Sequence, residues 1–238
     1  MLLDVAGLKK SFGSIVVADG LDLVIAPNEA VGIIGPNGAG KTSLFNLIAG
    51  GLTPGGGRIR FDGHDLAGIP PQGRCRAGLG RTHQIPQPFE KLTVFENLLV
   101  GAVYGRRVSE AKAAQSCGDI LARLGLLRRA NTLAGSLTLL ERKRLEMARA
   151  LATSPKLLLL DEIAGGLTEA ECAELVATIR DIRETGVAIL WIEHVVHALL
   201  AVIDRLVVLN FGRKIAEGEP KEVMQRPEVR QIYIGIEA

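Results

Sequence analysis

Gly35-Pro36-Asn37-Gly38-Ala39-Gly40-Lys41-Thr42 is the stretch on which the reading of this chain turns. It fits G-x-x-x-x-G-K-[ST] and lies between a short apolar run, Ala30–Ile34, and a helically spaced segment, Thr42–Ile48. Glycines let consecutive backbone N–H groups turn toward a phosphate, and the helix behind them adds the positive end of its dipole. Lys41 can place a point charge on β- and γ-phosphates, and the Thr42 hydroxyl can ligate Mg²⁺. Gly35 to Thr42, with Ser43 after them, are the expected nucleotide-binding residues. Chance yields such a pattern in roughly one average chain of this size in a hundred, rising to a few per hundred for a glycine-rich one.

Binding is not hydrolysis. Hydrolysis needs a carboxylate for the metal and a group to polarise water. The apolar run Leu157–Leu160 ends in Asp161-Glu162, two adjacent carboxylates. Asp161 is expected to hold the metal and Glu162 to act on the water. The plainer alternative is that the pair caps the helix that follows.

Composition bounds the rest. The 238 residues are 47% hydrophobic but only 4% aromatic, with 28 glycines and a formal net charge of +2. This length suits one large domain or two small ones. The mean hydropathy of +0.25 raises the question of a membrane span. The longest apolar runs, Leu157–Leu160 and Val187–Ile192, fall far short of the roughly 18 residues a spanning helix needs. Near-neutral charge argues against a nucleic-acid partner. The start, Met1-Leu2-Leu3-Asp4, lacks the pattern of a signal peptide, and Cys75, Cys117 and Cys172 are scattered, so a cytosolic chain with reduced thiols is expected.

Strand patterns are read at Leu2–Leu8, Leu21–Ile25, Ala30–Ile34, Arg58–Phe61, Leu79–Gln84, Leu157–Leu160, Val187–Ile192 and Leu206–Asn210. Helical spacing marks Thr93–Val100, Glu110–Leu124, Thr138–Ala152 and Thr168–Glu184. Thr93 with Glu96, and Thr168 with Glu171, have capping-box spacing. The alternation predicts an α/β fold built on a parallel sheet. The expected organisation is a single domain over 1–238, with a core at 1–84 and 152–238 and a helical subdomain at 85–151.

The phosphate loop, Gln84 at a strand end, Asp161-Glu162, and His194 after a further apolar strand have the order and spacing of ABC-transporter ATPases. The chain resembles that family over nearly its whole length. The resemblance implies a P-loop ATPase fold with an antiparallel β region. It implies that Gln84 contacts Mg²⁺ or water, that His194 bonds the γ-phosphate, and that Phe12, in Lys10-Ser11-Phe12-Gly13, stacks on adenine. The catalytic set is then Glu162, His194, Gln84 and Lys41, and the metal set Thr42, Gln84 and Asp161. The plainer alternative for Phe12 is an ordinary strand residue. His194 and His197 have the i,i+3 spacing of a metal pair, without an evident third ligand.

Phe89–Leu99, Trp191-Ile192-Glu193-His194, Asp204–Gly218, and the tail from Arg226 through Tyr233-Ile234-Gly235 resemble the ATP-binding subunits of branched-chain amino-acid importers. Urea/amide importers and the lipopolysaccharide-export ATPase are close relatives. A non-transport ABC ATPase, or a module that binds ATP with little hydrolysis, are the rival readings. Membrane permeases, an extracytoplasmic binding protein acting indirectly, and a place on the cytoplasmic face of the membrane follow from the resemblance. A groove beside Gln84 and Phe89–Thr93 is expected to receive a short permease helix.

One motif departs. The family signature, usually Leu-Ser-Gly-Gly-Gln, becomes Leu137-Thr138-Leu139-Leu140-Glu141. Leu137 and Thr138 are retained as nucleotide-binding candidates. Leu140 adds bulk where glycine lets backbone approach phosphate, and Glu141 brings a like charge toward an anion. Ile163 stands where proline is usual, His83 replaces an aromatic, and Gly165–Thr168 lacks the usual aspartate. Because each site in such dimers joins one chain's phosphate loop to its partner's signature, the expectation is a heterodimer with a second ABC ATPase and unequal sites.

Overall fold

The computed structural model describes residues 1–234; Gly235, the end of the tail quoted above, lies outside the described residues. Strands β1 (Leu3–Phe12) and β2 (Ile15–Ile25) form a hairpin, and β3 (Ala30–Ile34) runs into the phosphate loop and helix α1 (Lys41–Ala49). Next come β4 (Gly56–Phe61) and β5 (His64–Asp65), joined by Asp62-Gly63 with φ of 50° and 80°, the turn signalled by that dipeptide. Helix α2 (Pro71–Ala77) and the short β6 (Leu79–Arg81) precede a run of helices: α3 (Val94–Arg106), α4 (Glu110–Arg123) and α5 (Leu139–Ala152). The chain then alternates through β7 (Leu157–Asp161), α6 (Glu169–Arg183), β8 (Ala188–Ile192), α7 (Val196–Leu200) and β9 (Arg205–Asn210). It closes with β10 (Arg213–Gly218), α8 (Pro220–Gln225) and α9 (Pro227–Ile234).

Two sheets result. The order β2-β1-β4-β5 is antiparallel throughout. The larger sheet runs β10-β9-β3-β8-β7-β6, parallel except for the β9–β10 pair. Its central strands are buried on both faces, as their unbroken apolar runs require. The period of two divides them. Ile34, Leu158, Leu160, Ile189, Trp191, Leu206 and Val208 pack toward the helices α3 to α6. Val31, Ile33, Leu157, Leu159, Leu190, Ile192, Val207 and Leu209 pack against the antiparallel sheet and α1. Helix α1 contributes Leu44, Phe45, Leu47 and Ile48 to that second layer.

Several boundaries differ from the sequence reading. The Leu79–Gln84 strand stops at Arg81: Thr82 still donates to the Leu159 carbonyl at 2.9 Å, after which the chain leaves the sheet. The Thr93–Val100 helix continues to Arg106, where Arg107 ends it in a left-handed conformation. Both expected capping boxes form, with Thr93 accepting from the Glu96 N–H and Thr168 from the Glu171 N–H. Helices α2, α8 and α9 and strand β10 are absent from the sequence reading.

Candidate functional site

Four neighbouring parallel strands end on one edge of the large sheet, and each releases one candidate motif there. β3 releases the phosphate loop, β8 releases His194, β7 ends in Asp161 and continues to Glu162, and β6 leads to Gln84. The register aligns these ends: Ile33 pairs with Ile192, Ile192 with Asp161, and Leu159 with Arg81. Ligand sites of open α/β sheets lie outside the carboxyl ends of strands, as here.

The phosphate loop is a backbone cradle. Gly38 and Gly40 have φ of 81° and 98°. A Cβ on Gly40 would stand 2.2 Å from the Val17 carbonyl oxygen, so only glycine fits. Lys41 opens α1 and is buried, with its Nζ donating to the Gly35 and Pro36 carbonyls at 2.7 and 3.1 Å. Burial lowers the pKa of its ammonium, against which the carboxylates of Glu162 and Asp161 act. Asn37, Gly38 and Thr42 face solvent at the loop mouth, with Pro36, Gly40 and Ser43 half-buried and Gly35 and Ala39 buried beneath.

Asp161 is buried at the end of β7. One oxygen, Oδ2, accepts from the Arg81 guanidinium at 3.1 Å, while Oδ1 is buried without a partner. Burial pushes its carboxyl pKa up, with Arg81 opposing the shift. The next residue, Glu162, has φ of 48°, a left-handed backbone that a residue with a Cβ seldom adopts. This backbone turns its carboxylate to two partners. Gln84 Nε2 donates to Oε2 at 2.6 Å, and His194 Nε2 lies 2.8 Å from Oε1. Gln84, Glu162 and His194, far apart in sequence, are thus brought together.

Phe12 ends β1 opposite Ile15; its ring is 47% exposed, with the Lys10 ammonium 5.1 Å from its centroid. The structure therefore keeps Phe12 in a strand with its side chain about half exposed. His194 and His197 gain no further metal donor: among the described residues no three His, Cys, Asp or Glu side chains form a metal-holding group.

The signature segment is where sequence reasoning needs correction. Thr138 is the N-cap of α5: its hydroxyl accepts from the Glu141 N–H, and the Glu141 carboxylate accepts from the Thr138 N–H at 2.9 Å. Arg129 also binds that carboxylate at 2.9 Å. Partial burial raises the Glu141 pKa, but the Thr138 and Arg129 contacts outweigh it and hold the carboxyl below its usual range. Glu141 is therefore internally paired rather than a bare charge aimed outward. Leu140 turns its bulk into the core, buried with Leu137, whereas Leu139 is 43% exposed and covers Gly166. The same Thr-x-x-Glu spacing recognised at Thr93 and Thr168 was the signal for this cap.

Arg81 also escaped the sequence reading. Its guanidinium spans Asp161 and the Asn46 side chain of α1, donating to Asn46 Oδ1 at 2.6 Å, and lies over the Phe45 ring. A charged residue closing an apolar strand was its only signal. Nearby, a groove of about 620 Å³ is lined by residues that include His83, Phe89, Glu146 and Arg149. Arg149 lies 4.9 Å from the Phe89 centroid and donates to the Gln87 carbonyl at 2.8 Å.

Comparison with known proteins agrees with this geometry. The ABC transporter family profile matches residues 18–165. The branched-chain amino-acid transport ATP-binding protein BraF of Pseudomonas aeruginosa is 36% identical over 249 aligned positions, covering 98% of each chain. LivG of Escherichia coli K12, likewise named for high-affinity branched-chain amino-acid transport, is 37% identical with 98% of each chain covered. A crystal structure of an ABC-transporter ATP-binding cassette in its ADP conformation superposes with a TM-score of 0.90 at 32% identity, covering 98% of both chains.

Proposed function

This chain belongs to the ABC transporter ATP-binding family, and from that membership we propose that it is the ATP-hydrolysing subunit of a branched-chain amino-acid importer. The observation that carries the reading is the convergence of Gln84 and His194 on the two oxygens of Glu162, beside Asp161 and the phosphate loop.

Each residue has a part. The loop amides and Lys41 hold the β- and γ-phosphates and stabilise charge on the γ-phosphoryl oxygens as its bond to the leaving group breaks. Glu162 orients the attacking water and accepts its proton, with Gln84 and His194 fixing the carboxylate. His194, 44% exposed at its side chain, is the proposed donor to the γ-phosphate. Phe12, about half exposed at the end of β1, is the proposed stacking partner of adenine.

The donors fit Mg²⁺. Asp161 Oδ1 is a buried oxygen without a partner, and Thr42 and Gln84 add neutral oxygens, the hard set this ion takes alongside phosphates and water. Bound there, the ion would neutralise charge on the β- and γ-oxygens.

The groove at Phe89 and Arg149 is the proposed seat for a permease helix, and the proposed location of the subunit is the cytoplasmic face of the membrane. Among the described residues no helix is long and apolar enough to cross a membrane. The exposed Leu139 at the signature supports pairing with a second, different ABC ATPase, because two copies of this chain would put that side chain over both nucleotides. The test is phosphate release from the purified chain alone and from the complex isolated with its membrane subunits. Turnover confined to the complex is expected. Full turnover by the chain alone removes the heterodimer, and none in the complex removes the ATPase reading.

A further inference from the structure

Glu193 precedes His194 and is only 1% exposed. A buried carboxylate is unfavourable unless N–H groups replace its water, and here four do. Oε2 accepts from the Ala164 backbone at 2.9 Å and from the Trp191 indole at 3.3 Å. Oε1 accepts from the His194 backbone at 2.9 Å and the Val195 backbone at 3.4 Å. Ala164 lies two residues beyond Glu162, on the loop leaving β7, whereas His194 and Val195 belong to the loop leaving β8. One carboxylate therefore ties the loop that carries Glu162 to the loop that carries His194. Lys143 of α5, the helix capped by Thr138, is also buried. Burial lowers its ammonium pKa, and the charges of Glu193 and Glu162 oppose this.

We propose that Glu193 is a positioning residue for hydrolysis, joining the two loops into one unit so that His194 and Glu162 keep their contact as nucleotide binds and leaves. The inference rests on the ATPase reading above. It predicts a cost in turnover rather than in nucleotide affinity, because Glu193 is turned into the protein and its acceptors are all used on backbone and indole donors.

The test is made on the complex isolated with its membrane subunits, comparing wild type, Glu193→Gln, Glu193→Asp, His194→Ala and the Glu193→Gln/His194→Ala double variant. Gln keeps the shape but turns one acceptor into a donor, facing it against N–H groups on one of the two loops. The expected result is a kcat lower by about tenfold or more, with KM within about threefold. Asp, which keeps both acceptors one methylene shorter, should recover part of the rate. In the double variant the two losses should not multiply, because Glu193 acts through His194. Wild-type kcat in Glu193→Gln, a loss confined to KM, or multiplied losses would overturn the inference. Failure of both the Gln and Asp variants to fold would make the carboxylate a structural brace and overturn it as well. A wild-type complex without turnover would overturn the ATPase reading itself, and this inference with it, before any variant is compared.

Discussion

His194 Nε2 stands 2.8 Å from Glu162 Oε1, a contact that links coil leaving β8 to coil leaving β7. It makes the carboxylate, rather than the imidazole alone, the centre of the site. Replacing Glu162 by Gln keeps the size of the side chain and removes the proton acceptor. Nucleotide affinity should stay within about twofold and phosphate release should fall by about a hundredfold or more. Titration with a fluorescent ATP analogue and a phosphate-release assay separate the two effects, and retained turnover would move the base elsewhere.

Arg81 is the partner of a buried carboxylate, and its own side chain is 15% exposed. Arg81→Ala leaves Asp161 with neither oxygen satisfied and should lower stability by about 3–5 kcal/mol. At roughly 2–4 °C per kcal/mol for a chain of this size, a melting curve resolves that readily. Arg81→Lys should recover only part, because an ammonium cannot reach Asn46 and Asp161 as a planar fork does.

The phosphate-loop glycines should differ in what they tolerate. Gly40→Ala meets the Val17 carbonyl oxygen at 2.2 Å and should abolish ATP binding or folding. Gly38→Ala meets nothing within 4 Å and bears only the cost of its left-handed backbone, about 1 kcal/mol. Parallel melting and nucleotide titrations of the two variants distinguish clash from backbone strain.

Glu141 supplies a pH test. Its carboxyl titrates below the usual range when folded, so its contribution is present above the unfolded-state pKa and is lost as pH falls through the lower folded-state value. Glu141→Gln retains a capping acceptor but loses the charge pairing with Arg129, whose own side chain is half exposed. The loss near neutrality should be at most about 1 kcal/mol. Denaturant curves of the two proteins should converge in acid, below the ordinary carboxylate range. A difference that persists there would show that charge is not its source.

The two signature leucines should separate cleanly. Leu140→Gly removes a buried side chain and should cost about 2–5 kcal/mol in a melt. Leu139→Gly removes an exposed one, costing no more than about 1 kcal/mol of helix propensity, and should raise the ATPase rate of the chain on its own. No rise would show that Leu139 is not what keeps like chains from pairing productively.

Much of this is legible in the sequence, for physical reasons. The phosphate loop and the Leu157–Asp161 strand combine an unambiguous local pattern with a fixed chemical demand, so their places followed from spacing. What stayed hidden were contacts between distant residues. Nothing local to Arg81 names Asn46 or Asp161, and nothing local to Glu193 names Ala164. Glu141 differs, since its partner Thr138 is close by in sequence: the charge facing phosphate is the conspicuous feature, and the pairing at the helix end is the quieter one. Strand β10 and the short helices α2 and α8 carry too few buried positions to show a period.

β7 carries a quieter consequence. Its four consecutive leucines, Leu157 to Leu160, are all fully buried, two against each layer. Sliding this strand by one residue would exchange its faces and still leave three of the four leucines in buried positions. Hydrophobicity alone therefore sets only weakly where β7 should stop. What breaks the degeneracy is the residue after the leucines: Asp161 must meet Arg81, and its N–H must meet the Thr82 hydroxyl at 3.2 Å. The acid that nominally serves the chemistry also indexes the strand. A neutral residue at 161 should accordingly blur the position of everything the strand presents, Glu162 first.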